Sequence, residues 1–355
     1  MNISALLNEI VQNRPMTNEE FIELYHHADL ISLAKAADQV RRARYPGKIG
    51  TFIIDRNINY TNICTCQCLF CAFGRNKGDA DAYVIDDALL DQKIREALDA
   101  GATQVMIQGG LNPDLTIEYF ENMFRKIKAQ YDISIHSLTA PEIVFLSNQA
   151  GIDVTQTLTR LKEAGLDSLP GGGAEILNDE VRSQISPNKI NTREWLEVMR
   201  TAHQIGMKTT ATMMLGTVET IEHRLEHLRK IRDLQEETLG FRAFICWTYQ
   251  PGNSKLDLEK MSAVPYLRFL ALSRLYLYNI EHIQGSFVTQ GSRIGQLTLF
   301  FGGDDLGSVM LEENVVRSAG ASNTLETEEI IGLIRETGRI PAQRDTEYNL
   351  LKIYP

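Results

Sequence analysis

The run Cys64-Thr-Cys66-Gln-Cys68-Leu-Phe-Cys71 places four of the chain's five cysteines within eight residues, and inside it lies the spacing Cys64-x3-Cys68-x2-Cys71. Three thiolates on so short a loop suit one corner of a cubane iron–sulfur cluster, and an iron without a protein ligand is free to bind something else. Two other chemistries compete. A structural zinc site wants four ligands, usually as two separated pairs, but a second Cys-x2-Cys pair is missing and Cys246 stands alone. An electron-transfer cluster takes four cysteines. Cys66 is the available fourth, yet it lies two residues from both Cys64 and Cys68, an awkward bite for separate irons, and reads as a spectator thiol.

Other segments carry chemistry less sharply. In Gln108-Gly109-Gly110 the glycines let backbone approach a charged group, and adjacent N–H groups can bind a carboxylate; the alternative is an ordinary strand-to-helix turn. Gly171-Gly172-Gly173 precede Glu175, and three consecutive glycines cost enough backbone entropy to imply unusual torsions or close approach. Glu175 can accept hydrogen bonds from a ribose, and Arg182 can hold a carboxylate; otherwise Glu175 favours the dipole of the next helix. His136 ends a predicted strand, where it can carry a proton or touch substrate. A polar stretch from Thr289 to Arg317 forms a candidate substrate rim, with Arg293 and Arg317 for a carboxylate and Asp305 and Glu313 among its polar groups. The alternative is that Asp304 and Asp305 end a loop while Glu312 and Glu313 cap a helix. His223 and His227 have the spacing of a metal pair, but flanking Glu222, Arg224, Glu226 and Arg229 read as a solvated helix face. No phosphate-binding or dinucleotide-binding glycine pattern occurs, so nucleotide hydrolysis and nicotinamide binding have no support.

These residues need a scaffold. Residues 1–47 form a helical preface punctuated by Pro15 and Pro46, and residues 48–355 alternate β-rich runs with amphipathic helical stretches. Strands are predicted over 51–55, 104–107, 133–136, 167–169, 208–213, 242–247, 284–288 and 307–310, with helices over 116–130, 192–205, 219–236 and 264–280. Such alternation predicts an α/β fold with a parallel sheet, and about eight units fit a (β/α)8 TIM-type barrel, a partial six-stranded barrel being the alternative. Barrel chemistry sits beyond the carboxyl ends of the strands, where the cysteine loop, Gln108–Gly110, His136 and the triple glycine all fall.

Composition excludes several classes. The 355 residues carry a formal charge of −10 without basic runs, which argues against a nucleic-acid surface. The N-terminus lacks the pattern of a signal peptide, and no apolar run reaches the ~20 residues that span a bilayer. The expectation is a cytoplasmic protein, where clustered cysteines serve metal or redox chemistry.

The spacing Cys64-x3-Cys68-x2-Cys71 with aromatic Phe70 resembles the signature of the radical S-adenosylmethionine superfamily. Asn57–Cys64, Ser168–Leu177, Thr209–Met214, Trp247–Pro251, Asp305–Ser308 and Glu312–Arg317 resemble one branch of it, which holds menaquinone enzymes of the futalosine route and builders of the deazaflavin chromophore. The resemblance runs over residues 48–350, and Trp247–Pro251 together with the stretch from Asp305 to Arg317 look most like the futalosine cyclases. Thr-Cys-Gln between the first cysteines departs from the family's usual run, which bears only on Cys66. The resemblance implies a [4Fe-4S] cluster on Cys64, Cys68 and Cys71. S-adenosyl-L-methionine would lie on its open iron, among Phe70, Gln108, Gly109, Gly110, Glu175 and Arg182. It implies an external one-electron reductant of flavodoxin or ferredoxin type and a small-molecule substrate. The implied reaction abstracts the ribose C4′ hydrogen, adds the carbon radical to a benzoate ring, and needs a carboxylate anchor and a base, either His136 or Glu175. The sister aminofutalosine synthases are the alternative within the branch. An electron-transfer iron–sulfur protein is the alternative from another class.

Overall fold

The computed structural model describes every residue except Met1, Asn13, Pro46 and Ser322. Of the two prolines expected to punctuate the preface, Pro46 therefore lies outside the described residues. Among the described residues there are ten strands: β1 (Ile49–Ile53), β2 (Asp55–Ile58), β3 (Gln104–Ile107), β4 (Ser134–Ser137), β5 (Thr209–Leu215), β6 (Phe241–Thr248), β7 (His282–Gln284), β8 (Asp305–Ser308), β9 (Ile340–Arg344) and β10 (Leu350–Ile353). The pairings from β1 to β9 are parallel, and β10 runs antiparallel to β9. Parallel neighbours need crossovers, and amphipathic helices supply them. Helix Thr192–Gln204, for example, opens on a capping box between Asn191 and Glu194 and buries Trp195, Val198, Met199 and Ala202 along one stripe.

The pairings return to their start. β8 pairs with β1, the chain changes partner at Ile54, and β2 pairs with β3, which pairs with β4. Single bridges His136–Ser168 and Leu169–Thr209 fill the fourth position and lead through β5, β6 and β7 to β8. Eight strand positions thus form the expected barrel. The fourth stays a pair of bridges because Pro170 has no N–H to donate and three glycines follow it. Expectation and structure differ in three further places. The first strand is split in two, the seventh stops at Gln284 before a helical turn at Phe287–Gln290, and the eighth begins two residues earlier than predicted. The β9–β10 hairpin had no counterpart in the sequence reading, since Pro341, Gln343 and Arg344 break an apolar strand pattern. It lies against β1, with Ile49 opposite Ile340.

The preface consists of α1 (Ile3–Val11), α2 (Asn18–His27) and α3 (Leu30–Arg44). Phe21 of α2 meets Phe269 and Tyr276 edge-on at 6.4 and 5.4 Å, and residues of all three helices join the same hydrophobic cluster as the barrel. Among the described residues no helix is long and apolar enough to cross a membrane.

Candidate active site

The cysteine loop leaves the carboxyl end of β2 and is pinned by main chain from distant parts of the barrel. Cys64 N–H donates to Arg75 O, Thr65 N–H to Leu111 O, Leu69 N–H to Ile185 O, and Lys255 N–H to Leu69 O. Gln67 takes a left-handed φ of 47°, which turns the chain between the cysteines. Cys66 and Cys68 are buried, Cys64 and Cys71 half-buried, and all are free thiols, with Cys68 Sγ 3.6 Å from Cys66 Sγ. Among the described residues no three metal-ligating side chains are grouped for a single ion. A cluster asks for something else, one thiolate on each of three irons. Burial raises the Cys64 and Cys71 thiols, while Cys68, in hydrogen bond to Cys66, is raised further and lowers its neighbour. Cluster binding there would release protons.

Beside the thiols lies a buried ionic group. Glu175, in a left-handed φ of 40° after the triple glycine, places Oε1 2.9 Å from Lys189 Nζ and Oε2 3.7 Å from Arg182 Nη1. Lys189 Nζ also stands 5.2 Å from the centre of the Phe70 ring. Burial opposes the ammonium charge, but Cys68, Glu175 and Cys66 hold Lys189 above the ordinary lysine range. Among the described residues, buried Glu175 Oε2 has no hydrogen-bond partner. Arg182 faces it as a charge but too far for a hydrogen bond, and a buried carboxylate oxygen without one is costly, so this one fits a polar ligand bringing a donor. With three thiols beside it, the donor set fits an iron–sulfur cluster carrying S-adenosylmethionine. Sequence reasoning missed Lys189, which no local pattern distinguishes.

Three cofactor-side expectations need correction. Arg182 is not available for a ligand carboxylate, because its guanidinium donates to the carbonyls of Gly173, Ala174, Ile176 and Ile190. It positions the Glu175 loop instead. Gly109 and Gly110 do not offer free N–H groups: Gly109 N–H donates to Glu142 Oε1 at 3.1 Å and Gly110 N–H to Thr61 O at 3.1 Å. Their use is close approach, for a Cβ at Gly110 would stand 2.2 Å from Ile63 O. Buried Glu142, absent from the sequence reading, ties this turn to Tyr60, whose hydroxyl donates to it at 2.7 Å. Gln108 is half-buried, its side-chain oxygen 3.8 Å from where a Cβ at Gly172 would stand.

Below this rim the barrel encloses a cavity of about 200 Å³, lined among others by Asp55, His136, Arg242, Gln284, Met310 and Arg344. His136 Nδ1 lies 2.6 Å from Ser168 Oγ. Burial, aided by the nearby charges of Arg242 and Arg344, pushes its pKa down to about 3, so the imidazole is neutral at physiological pH. Gln104 donates to Asp55 at 2.6 Å and the Ser308 hydroxyl donates to its other oxygen; burial raises this carboxyl.

The rim candidates separate. Arg293 is exposed and pairs with Glu336 at 3.3 Å, away from the cavity lining. Asp305 is buried and its oxygens are taken by Arg344, Thr51 and Gly307 N–H, so it holds the barrel rather than a substrate. Glu313 accepts from the N–H groups of Val315, Val316 and Arg317, the helix-capping alternative. Asp304 is likewise internal, paired with Arg274 and with His282 at 2.6 Å. Arg317 is exposed on the turn Val315–Ser318, which rests on the loop after β6 through Asn253 Nδ2 to Ser318 O. His227 does not lie on a solvated face: it is buried, and its Nδ1 accepts Leu177 N–H at 2.9 Å. Arg224 beside it is buried against Glu219 at 2.7 Å.

Comparison with known proteins agrees with this geometry. Residues 58–231 match the radical SAM superfamily, and residues 238–354 match the CofH/MqnC C-terminal region. The cyclic dehypoxanthine futalosine synthase of Halalkalibacterium halodurans is 42% identical over 100% of this chain and 96% of its own length. That of Streptomyces coelicolor is 45% identical over 99% and 90%. A 5-amino-6-(D-ribitylamino)uracil–L-tyrosine 4-hydroxyphenyl transferase of Methanothermobacter thermautotrophicus is 41% identical over 98% of each chain. The solved structure of methylornithine synthase shares the fold, with a TM-score of 0.75, 17% identity and coverage of 95% of this chain and 97% of that one.

Proposed function

The chain belongs to the radical S-adenosylmethionine superfamily, and from that premise we propose that it is the cyclase converting dehypoxanthine futalosine to its cyclic spiro product in menaquinone biosynthesis. The observation that carries the reading is full-length identity of 42–45% to cyclic dehypoxanthine futalosine synthases. The three thiols beside the unpaired Glu175 oxygen support it from the site.

In this reading Cys64, Cys68 and Cys71 hold a [4Fe-4S] cluster, and Glu175 receives S-adenosylmethionine with Lys189 and Phe70 beside it. When bound, these groups supply a 5′-deoxyadenosyl radical, the hydrogen-abstracting agent. The chain's own contribution is to place the ribose C4′ of the substrate under that rim and its benzoate ring in the barrel cavity, and to keep water out of both. Loss of the C4′ hydrogen leaves a carbon radical that bonds to the ring. Transfer of one electron to the oxidised form of the flavodoxin- or ferredoxin-type carrier, and loss of one proton, restore aromaticity. A ring carbon about to regain aromaticity is a strong acid, so neutral His136, lining the cavity, is base enough to take that proton despite its low pKa. A flavodoxin- or ferredoxin-type donor in the cytoplasm supplies the starting electron.

The 41% identity to a hydroxyphenyl transferase over nearly the whole chain sustains a second reading. Both are tested on anaerobically reconstituted enzyme with dithionite and S-adenosylmethionine. Offered dehypoxanthine futalosine, it should form 5′-deoxyadenosine and a product lighter by two hydrogens. Turnover only with tyrosine and the ribitylaminouracil would replace the cyclase by the transferase. Absence of 5′-deoxyadenosine with either would remove the radical enzyme altogether.

A further inference from the structure

The two arginines expected to anchor a substrate carboxylate, Arg293 and Arg317, are exposed and absent from the cavity lining. Two others line it, Arg242 and Arg344. Arg344 is fully engaged, with Nε and Nη2 on Asp305 at 2.6 and 3.0 Å and Nη1 on Asp345 O at 3.0 Å. Arg242 is not.

Its place follows from an irregularity in the sheet. Thr209 pairs with Phe241 but Thr210 with Ala243, so Arg242 is the extra residue of a β-bulge. Bulges re-aim a side chain that would otherwise follow the strand's alternation. Here the result is a guanidinium whose side chain is only 8% exposed, at the amino end of β6 where the barrel has its floor. Nη1 pairs with Glu347 and Nη2 donates to Lys208 O at 3.3 Å, while buried Nε has no hydrogen-bond partner among the described residues. A buried arginine donor left unmade is costly, and with Nη1 and Nη2 already engaged it is the single Nε–H that calls for an acceptor, for which a carboxylate oxygen makes the strongest, charge-assisted bond. Asp305 is committed to Arg344 and Asp55 to Gln104 and Ser308, so neither supplies that acceptor.

We infer that Arg242 is the specificity residue that receives the aryl carboxylate of the substrate at the floor of the barrel cavity. This rests on the cyclase reading above. The benzoate ring then stands on Arg242, and His136, in whose surroundings Arg242's charge is felt, faces the same space.

The test compares the benzoate substrate with its carboxamide isostere on holoenzyme, by kcat/KM and by calorimetric binding. Wild type should favour the carboxylate by about 10- to 100-fold, the range of a charge-assisted hydrogen bond. Arg242→Gln should erase that preference, chiefly through KM, and Arg242→Lys should keep part of it. Full preference in Arg242→Gln, or none in wild type, would overturn the inference, the donor then being met by water. Should Arg242→Gln fail to fold, the wild-type ratio and Arg242→Lys still decide. Failure of the cyclase reading is separate: wild type would turn over neither compound.

Discussion

The rim and the floor of this barrel are built in opposite ways. At the rim, chemistry comes from short continuous stretches, the eight residues Cys64–Cys71 and the segment from Gly171 to Lys189, and among the described residues it holds a carboxylate oxygen without a hydrogen bond. At the floor, each group comes from a different strand: Gln104 from β3, Arg242 from β6, His282 from β7, Asp305 from β8, Arg344 from β9. There every charge but one donor of Arg242 is internally satisfied. The difference teaches where ligands are to be sought, namely where a buried polar atom lacks a partner, and not merely where charges are dense.

The comparison can be broken most severely at the cysteines. Alanine at Cys64, Cys68 or Cys71 should abolish cluster binding and all 5′-deoxyadenosine formation, while Cys66→Ala should keep both; iron and sulfide content after anaerobic reconstitution measures this. Loss of the cluster in Cys66→Ala would make it a ligand after all. At the floor the expected loss is stability. Arg344→Met strands the fully buried Asp305 and should cost about 3–5 kcal/mol in urea unfolding of the apoprotein. A change below 1 kcal/mol would mean that the floor is not internally paired.

Glu175→Gln sharpens the rim side. It should weaken S-adenosylmethionine binding by about 10- to 100-fold and leave iron content unchanged, read by equilibrium dialysis. An effect spread over pH comes from buried neutral histidines. Burial holds His136 and His227 at about 3 and His203 at about 4, below the unfolded value near 6.5. Above pH 6.5 neither state takes up the protons. As pH falls below it, only the unfolded chain does, so stability should drop by about 1 kcal/mol per pH unit per histidine down to roughly pH 4. His227→Asn, which can still accept Leu177 N–H, should make that slope shallower in pH-dependent unfolding. Least of all, Arg293→Ala should alter stability by no more than about 0.5 kcal/mol and leave KM unchanged, as befits an exposed pair.

Much of the rim was legible because its information is local. Cysteine spacing survives any packing, a triple glycine announces unusual torsion, and β-branched runs with intervening amphipathic helices announce a barrel. The same locality misled at Arg182, whose spacing from Glu175 suggested a ligand contact but whose guanidinium closes its own loop. It misled at His227 too, where charged neighbours at 226 and 229 hid a residue on the buried face.

By itself, then, the sequence determined the thiol loop, the order of strands and crossovers, and the end of the barrel at which the loop emerges, since periodicity and spacing are properties of short segments. Only the tertiary structure decided which charges meet. Glu175 finds Lys189 across a helix, Arg344 finds Asp305 across the sheet, and a one-residue bulge swings Arg242 toward the cavity. The reason is physical: the free energy of a buried charge depends on which groups surround it in space, and strand pairing brings together residues far apart in the chain.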